Sequence, residues 1–339
     1  MEFNKRLIIF LLLIIIIILV AIYTWQGIYF PIDKSSKGEI SFSIKKGEGT
    51  KEISSNLEKE RLVRMATLFR IYTIFSGISD KLQAGEYMLS PSMTIPEIAE
   101  KFALGNVVKE TITIIEGWNL NDVAEYMEGK GFEKNQFLEI TQKDFSGEFS
   151  FLKDKPKDLS LEGYLFPDTY YINKQRTMNK EQLEELISKM LENFDNKLTP
   201  EMREEINRQG KAIFEIVTMA SMIEKEVKTL GDKKMVSGIL WKRLENNITL
   251  QVDSTISYLT DKKSADISVE ETKIDSPYNT YKYKGLPLGP ICNPGLESIS
   301  ASIYPEESAY WYYLSTQEGE TIFSKTLEEH NIAKEKYLK

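Results

Sequence analysis

An α+β fold is what this sequence predicts: one N-terminal membrane helix, a small α+β module, then a larger α+β domain. Three observations carry that expectation. Leu7 to Tyr23 is an unbroken run of 17 apolar residues. Short stretches such as Ile40–Ile44 alternate apolar and polar side chains, the period of a half-buried strand. Between such stretches lie segments with helical spacing, the clearest being Glu181 to Phe194, with Leu183, Leu186, Ile187, Met190 and Leu191 on one face.

The bulk composition narrows the chemistry. The chain has 339 residues, enough for two or three domains, and a formal net charge of −8. That balance argues against a nucleic-acid partner, which calls for a basic face. Cys292 is the only cysteine and His330 the only histidine. No intrachain disulfide is possible, and zinc sites built from several cysteines or histidines are excluded. A Ser–His–Asp triad would have to use His330, and no G-x-S-x-G is present. Carboxylate catalysis remains the natural candidate.

The N-terminal element comes first. A helix from Leu7 to Tyr29 is long enough to cross a bilayer core. Lys5 and Arg6 precede it, so residues 1–6 are expected in the cytoplasm and the rest outside a single cell (inner) membrane. Trp25, Tyr29 and Phe30 suit the outer interface. A cleaved signal peptide would have a shorter apolar region and a small-residue cleavage site. Residues 30–38 read as a polar linker.

The module expected at 39–107 begins with the strand Ile40 to Ile44 and a turn at Lys46-Gly47-Glu48-Gly49. Thr50 is the expected cap of a helix carrying Ile53 and Leu57. A second helix runs near Met65 to Phe75, a strand from Gly85 to Leu89, and Thr94 caps a helix that ends near Gly105. Strand, glycine turn and helix recur 70 residues on, with Ile114, Gly117, Val123 and Met127 in place of Ile44, Gly47, Ile53 and Leu57. The first copy resembles a LysM-like module, a strand–helix–helix–strand unit often found on glycan-binding proteins.

In the larger domain expected at 108–339, helices are read at Asn119 to Lys130, Asn135 to Thr141, Glu181 to Phe194 and Pro200 to Gln209. A turn and strand lie at Glu162 to Tyr170. Ala212 to Val227 is apolar nearly all round and therefore a core helix. It ends in Glu224-Lys225-Glu226. On the helical wheel Glu224 lies over Val217, Ala220 and Ser221, and Glu226 over Met219, Met222 and Ile223. A carboxyl among apolar neighbours loses water and holds its proton more tightly, as a general acid must near neutrality. The pattern does not choose between Glu224 and Glu226. Downstream, Gly285 to Gly295 forms a Pro/Gly loop whose backbone can approach a ligand closely. Gln251, Asp253, Tyr278, Asn279 and Asn293 are the expected substrate-site residues, because amides bond hydroxyl and N-acetyl groups while tyrosine rings stack on sugars.

Several segments then occur in one order. They are Glu162-Gly-Tyr-Leu-Phe-Pro-Asp-Thr-Tyr170, Met219-Ala-Ser-Met-Ile-Glu224-Lys-Glu226, Leu250-Gln-Val-Asp253-Ser-Thr, Pro277-Tyr-Asn-Thr-Tyr281, Gly285-Leu-Pro-x-Gly-Pro-Ile, Asn293-Pro-Gly and Phe323-Ser-x-Thr-x-x-Glu329-His330-Asn331. Together they resemble the endolytic murein transglycosylases of the MltG (YceG-like) family. Leu288 stands where many members have a second proline, and Thr321 where many have histidine. The resemblance implies a membrane-bound lytic transglycosylase that cuts nascent peptidoglycan strands internally and ends their elongation. It selects Glu224 as the catalytic carboxyl. The implied partners are glycan strands and, beyond them, peptidoglycan synthases; no nucleic acid, metal or cofactor is called for. In the expected scheme Glu224 protonates the oxygen joining N-acetylmuramic acid to N-acetylglucosamine. It then takes a proton from the muramic C6 hydroxyl, leaving a 1,6-anhydro end. The rival readings are a hydrolytic muramidase and a non-enzymatic scaffold of the wall-synthesis machinery.

Overall fold

The computed structural model describes residues 2–174, 179–262, 267–316 and 319–337. It divides into two units: residues 1–111 with 171–178, and residues 112–170 with 179–339. Helices and three two-stranded sheets make the fold a mixed α/β one among the described residues.

The first unit opens on α1 (Glu2–Tyr29). Its Leu7–Tyr29 stretch is 23 residues long with mean hydropathy 3.4 and exposed apolar side chains, so it is long and apolar enough to cross a membrane. The last turns are different. Gly27 is buried against Leu68, and a Cβ there would lie 2.3 Å from the leucine Cδ1. Ile28 packs on the hydrophobic core, and the Tyr29 and Tyr72 rings meet edge to face at 6.5 Å. The segment after α1 is also pinned. Asp33 N–H donates to Pro91 O (3.0 Å) and the Arg64 guanidinium to Pro31 O (3.2 Å).

Next come β1 (Ile40–Ile44), α2 (Thr50–Lys59), α3 (Ala66–Phe75), β2 (Gly85–Leu89) and α4 (Ile95–Leu104). β1 and β2 are antiparallel, with Phe42 opposite Tyr87. Alternation along both strands sends Phe42, Ile44, Tyr87 and Leu89 inward, where Ile53, Leu57, Phe69 and Phe102 close the core. Phe102 is its hub, stacked on Phe42 (5.7 Å) and edge-on to Tyr87 (4.6 Å). Thr94 and Glu97 form a full capping box on α4. Thr50 is not a cap. It lies inside α2, whose N-cap is Gly49, and its hydroxyl donates to Ser79 O (3.0 Å).

β3 (Lys109–Thr113) pairs with β4 (Thr169–Asn173), and the boundary between units falls inside both strands. The second unit carries α5 (Leu120–Gly129), α6 (Lys134–Thr141), α7 (Lys180–Lys197), α8 (Pro200–Arg208) and α9 (Ile213–Glu226). It continues with α10 (Leu230–Glu245), α11 (Asp253–Thr260), α12 (Leu296–Ile303), an antiparallel hairpin of β5 (Tyr312–Ser315) and β6 (Thr321–Ser324), and α13 (Leu327–Tyr337). α9 is the central helix: every residue from Ile216 to Ile223 is buried, and α8, α10, α11 and α12 pack around it. The turns at Gly47 and Gly117 share a left-handed backbone, φ +85° and +81°, so the recurring strand–turn–helix pattern is real in conformation.

Candidate active site

α9 delivers Glu224 from its last turn, and three donors from other elements meet the carboxylate. The Thr229 hydroxyl caps α10 through Asp232 N–H (3.1 Å), which sets the first turn of α10 beside the end of α9. From that turn Lys233 reaches Glu224 Oε1 at 3.3 Å; the two side chains are only 4 % and 9 % exposed. Glu224 Oε2 accepts Gly295 N–H (2.9 Å) and the Ser298 hydroxyl (2.6 Å). Gly295 is the N-cap of α12 and offers no side chain, so the Glu224 carboxylate caps that helix where its dipole favours negative charge. An ionised carboxylate has a lone pair for every one of these donors.

The loop that presents Gly295 is locked to α9. Ile291 N–H donates to Ser221 Oγ (3.0 Å), and the Cys292 thiol to Ser221 O (3.3 Å). Asn293 staples the loop to the turn after β3. Its N–H and its Nδ2 both donate to Trp118 O (2.8 and 3.0 Å), and its carbonyl accepts Gly117 N–H (2.9 Å). Its Oδ1 accepts Leu165 N–H (3.0 Å). Lys225 closes the frame by donating to Gly117 O (3.2 Å). Glu116, next to that glycine, lies directly against Gly295, where a Cβ would fall 2.0 Å from its Oε1.

Against known proteins, the sequence model of the YceG-like family matches residues 42–336. The chain belongs to the YceG-like family. A protein of Bacillus subtilis (strain 168) described as an endolytic murein transglycosylase is 32 % identical over 322 residues, 91 % of this chain and 87 % of that protein. One of the same description from Streptococcus pneumoniae (strain D39) is 32 % identical over 89 % of this YceG-like chain. The chain spans 59 % of the length of that streptococcal protein. A crystal structure of a yceG-like protein from Listeria monocytogenes covers 88 % of this chain and all of its own, at 32 % identity and a TM-score of 0.59.

In the YceG-like chain three of the expected residues go with three different glutamates, and Asn279 and Gln251 stand apart from them. Asn293 belongs with Glu224, as the staple of the loop that holds it. Asp253 belongs with Glu226: Tyr281 donates its hydroxyl to Asp253 Oδ1, while Glu226 accepts Ser254 N–H (3.4 Å) and the Tyr313 hydroxyl (3.3 Å). Tyr278 belongs with Glu162: its ring lies 5.1 Å from that of Tyr258, whose hydroxyl faces Glu162 Oε2 at 3.4 Å. The Asn279 amide is fully engaged by backbone. Its Nδ2 donates to Thr272 O and Ile274 O, and its Oδ1 accepts Tyr281 and Lys282 N–H, so no bond remains for a sugar. Gln251 is exposed, holds a left-handed φ of +53°, and bonds Thr280 O through its own N–H (3.1 Å). Sequence reading missed Lys233, Ser298 and Glu116 as neighbours of Glu224. The readable hints were a lysine in the first turn of the next helix and a serine three residues beyond the Gly295 cap.

Glu226 and Glu162 report on pH. Loss of water pushes Glu226 up to about 7 against the pull of Ser254, with Asp253 adding to the rise. Burial pushes Glu162 up to about 8 against the pull of Leu120 N–H and Tyr258. The folded chain therefore holds these protons more tightly than the unfolded chain, where a glutamate titrates near 4.5. Stability is expected to rise as pH falls from about 8 toward 5. Denaturant midpoints measured across that window check it, and Glu162→Gln with Glu226→Gln should flatten the slope. A midpoint rising with pH would contradict both assignments.

Proposed function

We propose that this chain is an endolytic murein transglycosylase, cutting peptidoglycan strands internally at the bond from N-acetylmuramic acid to N-acetylglucosamine and leaving 1,6-anhydro ends. The observation that carries this reading is a nearly buried carboxylate, Glu224, fixed by an ammonium, a backbone N–H and a hydroxyl at the start of α12. Glu224 takes the proton of the muramic C6 hydroxyl while that oxygen attacks C1 of the same sugar. The bond from C1 to the neighbouring sugar's oxygen breaks, and that oxygen takes a proton from an acid of the site as it leaves. The nucleophile belongs to the substrate, so no covalent enzyme intermediate is needed, unlike the two-carboxylate scheme of retaining glycosidases. Three donors hold Glu224 in one pose, which keeps it aligned before the sugar arrives.

The anchor and the module fit the same role. α1 tethers the protein to the cell membrane with its N-terminus inside, and both units work outside, where nascent strands emerge. Residues 39–107 are a LysM-like module, as the order β1, α2, α3, β2 suits, and residues 108–339 are the catalytic domain. The module carries a polar hollow of about 480 Å³, lined by Ser43, Lys45, Glu48, Asn56 and Lys59 among others, with the donors and acceptors that sugar hydroxyls require. Peptidoglycan synthases are the natural partners of an enzyme that ends strand growth.

Product analysis tests the proposal. Uncrosslinked glycan incubated with the full-length protein should yield internal cleavage products with anhydro ends by mass spectrometry. Reducing ends would instead mark a hydrolytic muramidase, and uncut glycan a binding protein.

A further inference from the structure

We propose that Glu116 is a second catalytic carboxyl of this site, the one that hands a proton to the departing sugar oxygen. The inference rests on Glu224 being the residue that accepts the C6 proton.

Position is the first argument. Glu116 precedes Gly117 in the turn after β3, and that turn is fixed by Asn293 on one side and Lys225 on the other. Its carboxylate lies against Gly295, with Oε1 2.0 Å and Cδ 2.2 Å from where a Cβ would stand. The N–H of that same glycine donates to Glu224 Oε2 at 2.9 Å. Standard backbone dimensions then place the two carboxylates within roughly 7 Å of each other. Paired carboxyls that cut glycosidic bonds stand roughly 5–10 Å apart, because one serves each side of the breaking bond.

Difference in surroundings is the second argument. Glu224 is nearly buried and held in one pose by three donors, with Oε1 facing Lys233 and Oε2 facing Gly295 N–H and the Ser298 hydroxyl. Glu116 is open to solvent, so it can touch an incoming sugar and recover a proton from water. Partial loss of water raises the proton affinity of its carboxyl, and the charges of Glu224 and Glu297 raise it further against the pull of Lys233. Gly295 has no Cβ that would push Glu116 away, which is a reason for glycine at that cap.

The step balances. The Glu116 proton moves to the oxygen leaving C1 as that bond breaks. The C6 oxygen bonds C1, and its proton moves to Glu224. Each carboxyl then returns to its starting state by exchange with water. The one-carboxyl scheme expected from sequence is thereby divided between two residues with opposite surroundings.

The experiment compares Glu116→Gln, Glu224→Gln and wild type, all full length, on two substrates. One is uncrosslinked glycan. The other is the N-acetylglucosaminyl-N-acetylmuramic acid β-glycoside of 4-methylumbelliferone, whose phenolate leaves without being protonated. Glu116→Gln should cut glycan ~10²-fold more slowly or worse, yet release the fluorophore near the wild-type rate, which also shows that the variant is folded. Glu224→Gln should lose both activities. Glu116→Gln that cuts glycan at the wild-type rate, or that loses both substrates equally, overturns the proposal. Glu224→Gln that keeps both activities would instead sink the assignment of Glu224.

Discussion

Glu224→Gln is expected to lower the rate at which anhydro-ended products appear from purified glycan by ~10²–10⁴-fold, the usual effect of removing a general acid–base. The amide is close to the carboxylate in shape and still offers an oxygen to Lys233 or to the Gly295 and Ser298 donors. What it cannot do is accept the C6 proton. Lys233 keeps Glu297 Oε2 at 4.0 Å as a counter-charge, so folding should survive with some loss of stability while turnover falls. Glu226→Gln is the matched control. That side chain faces Ser254 and Tyr313, away from the Lys233–Ser298 pair, so its turnover should stay close to wild type. The two assays run side by side decide which carboxyl acts. Normal product formation by Glu224→Gln, or a collapse in Glu226→Gln alone, would exchange the roles.

Lys233→Met should destabilise the second unit by about 3–5 kcal/mol, the range seen when one partner of a buried ion pair is removed. The Lys233 side chain is 4 % exposed and faces Glu224 Oε1 at 3.3 Å, with Glu297 Oε2 at 4.0 Å. Methionine fills similar space but leaves the Glu224 charge uncompensated on that side. Pairing Lys233→Met with Glu224→Gln should recover much of the loss, since no buried charge remains. Unfolding midpoints of the two single variants and the double variant measure this coupling. Additive losses would show that the lysine stabilises through packing of its stem and not through the carboxylate. Turnover of Lys233→Met should also fall, because Glu224 would keep only the donors on Oε2.

Local structure was largely readable in the chain. The Thr94 cap, the glycine turns at 47 and 117, and the apolar body of α9 are each written in a few neighbouring residues, and each is found where expected. The failures lie where distant segments meet. A helical wheel sees only its own helix, so it surrounds Glu224 with Val217, Ala220 and Ser221. The donors that define that carboxylate come from residues 233, 295 and 298. Asn279 and Asn293 look like sugar ligands by composition. Tertiary contacts turn their amides toward backbone, where an unpaired buried carbonyl or N–H would be costly. Thr50 fails for a smaller reason: Gly49 already supplies the extended backbone of a cap, and the threonine hydroxyl finds Ser79.

The close fit of Gly27 against Leu68 and the two bonds that hold residues 31 and 33 bear on where the first unit can travel. A nine-residue leash left loose would permit excursions of roughly 30 Å. Fastened at residues 31 and 33 to the body that carries α3 and β2, it permits far less. A bilayer that held α1 would therefore keep β1 to α4 at a constant altitude, like a fixed stand and not a buoy on a rope.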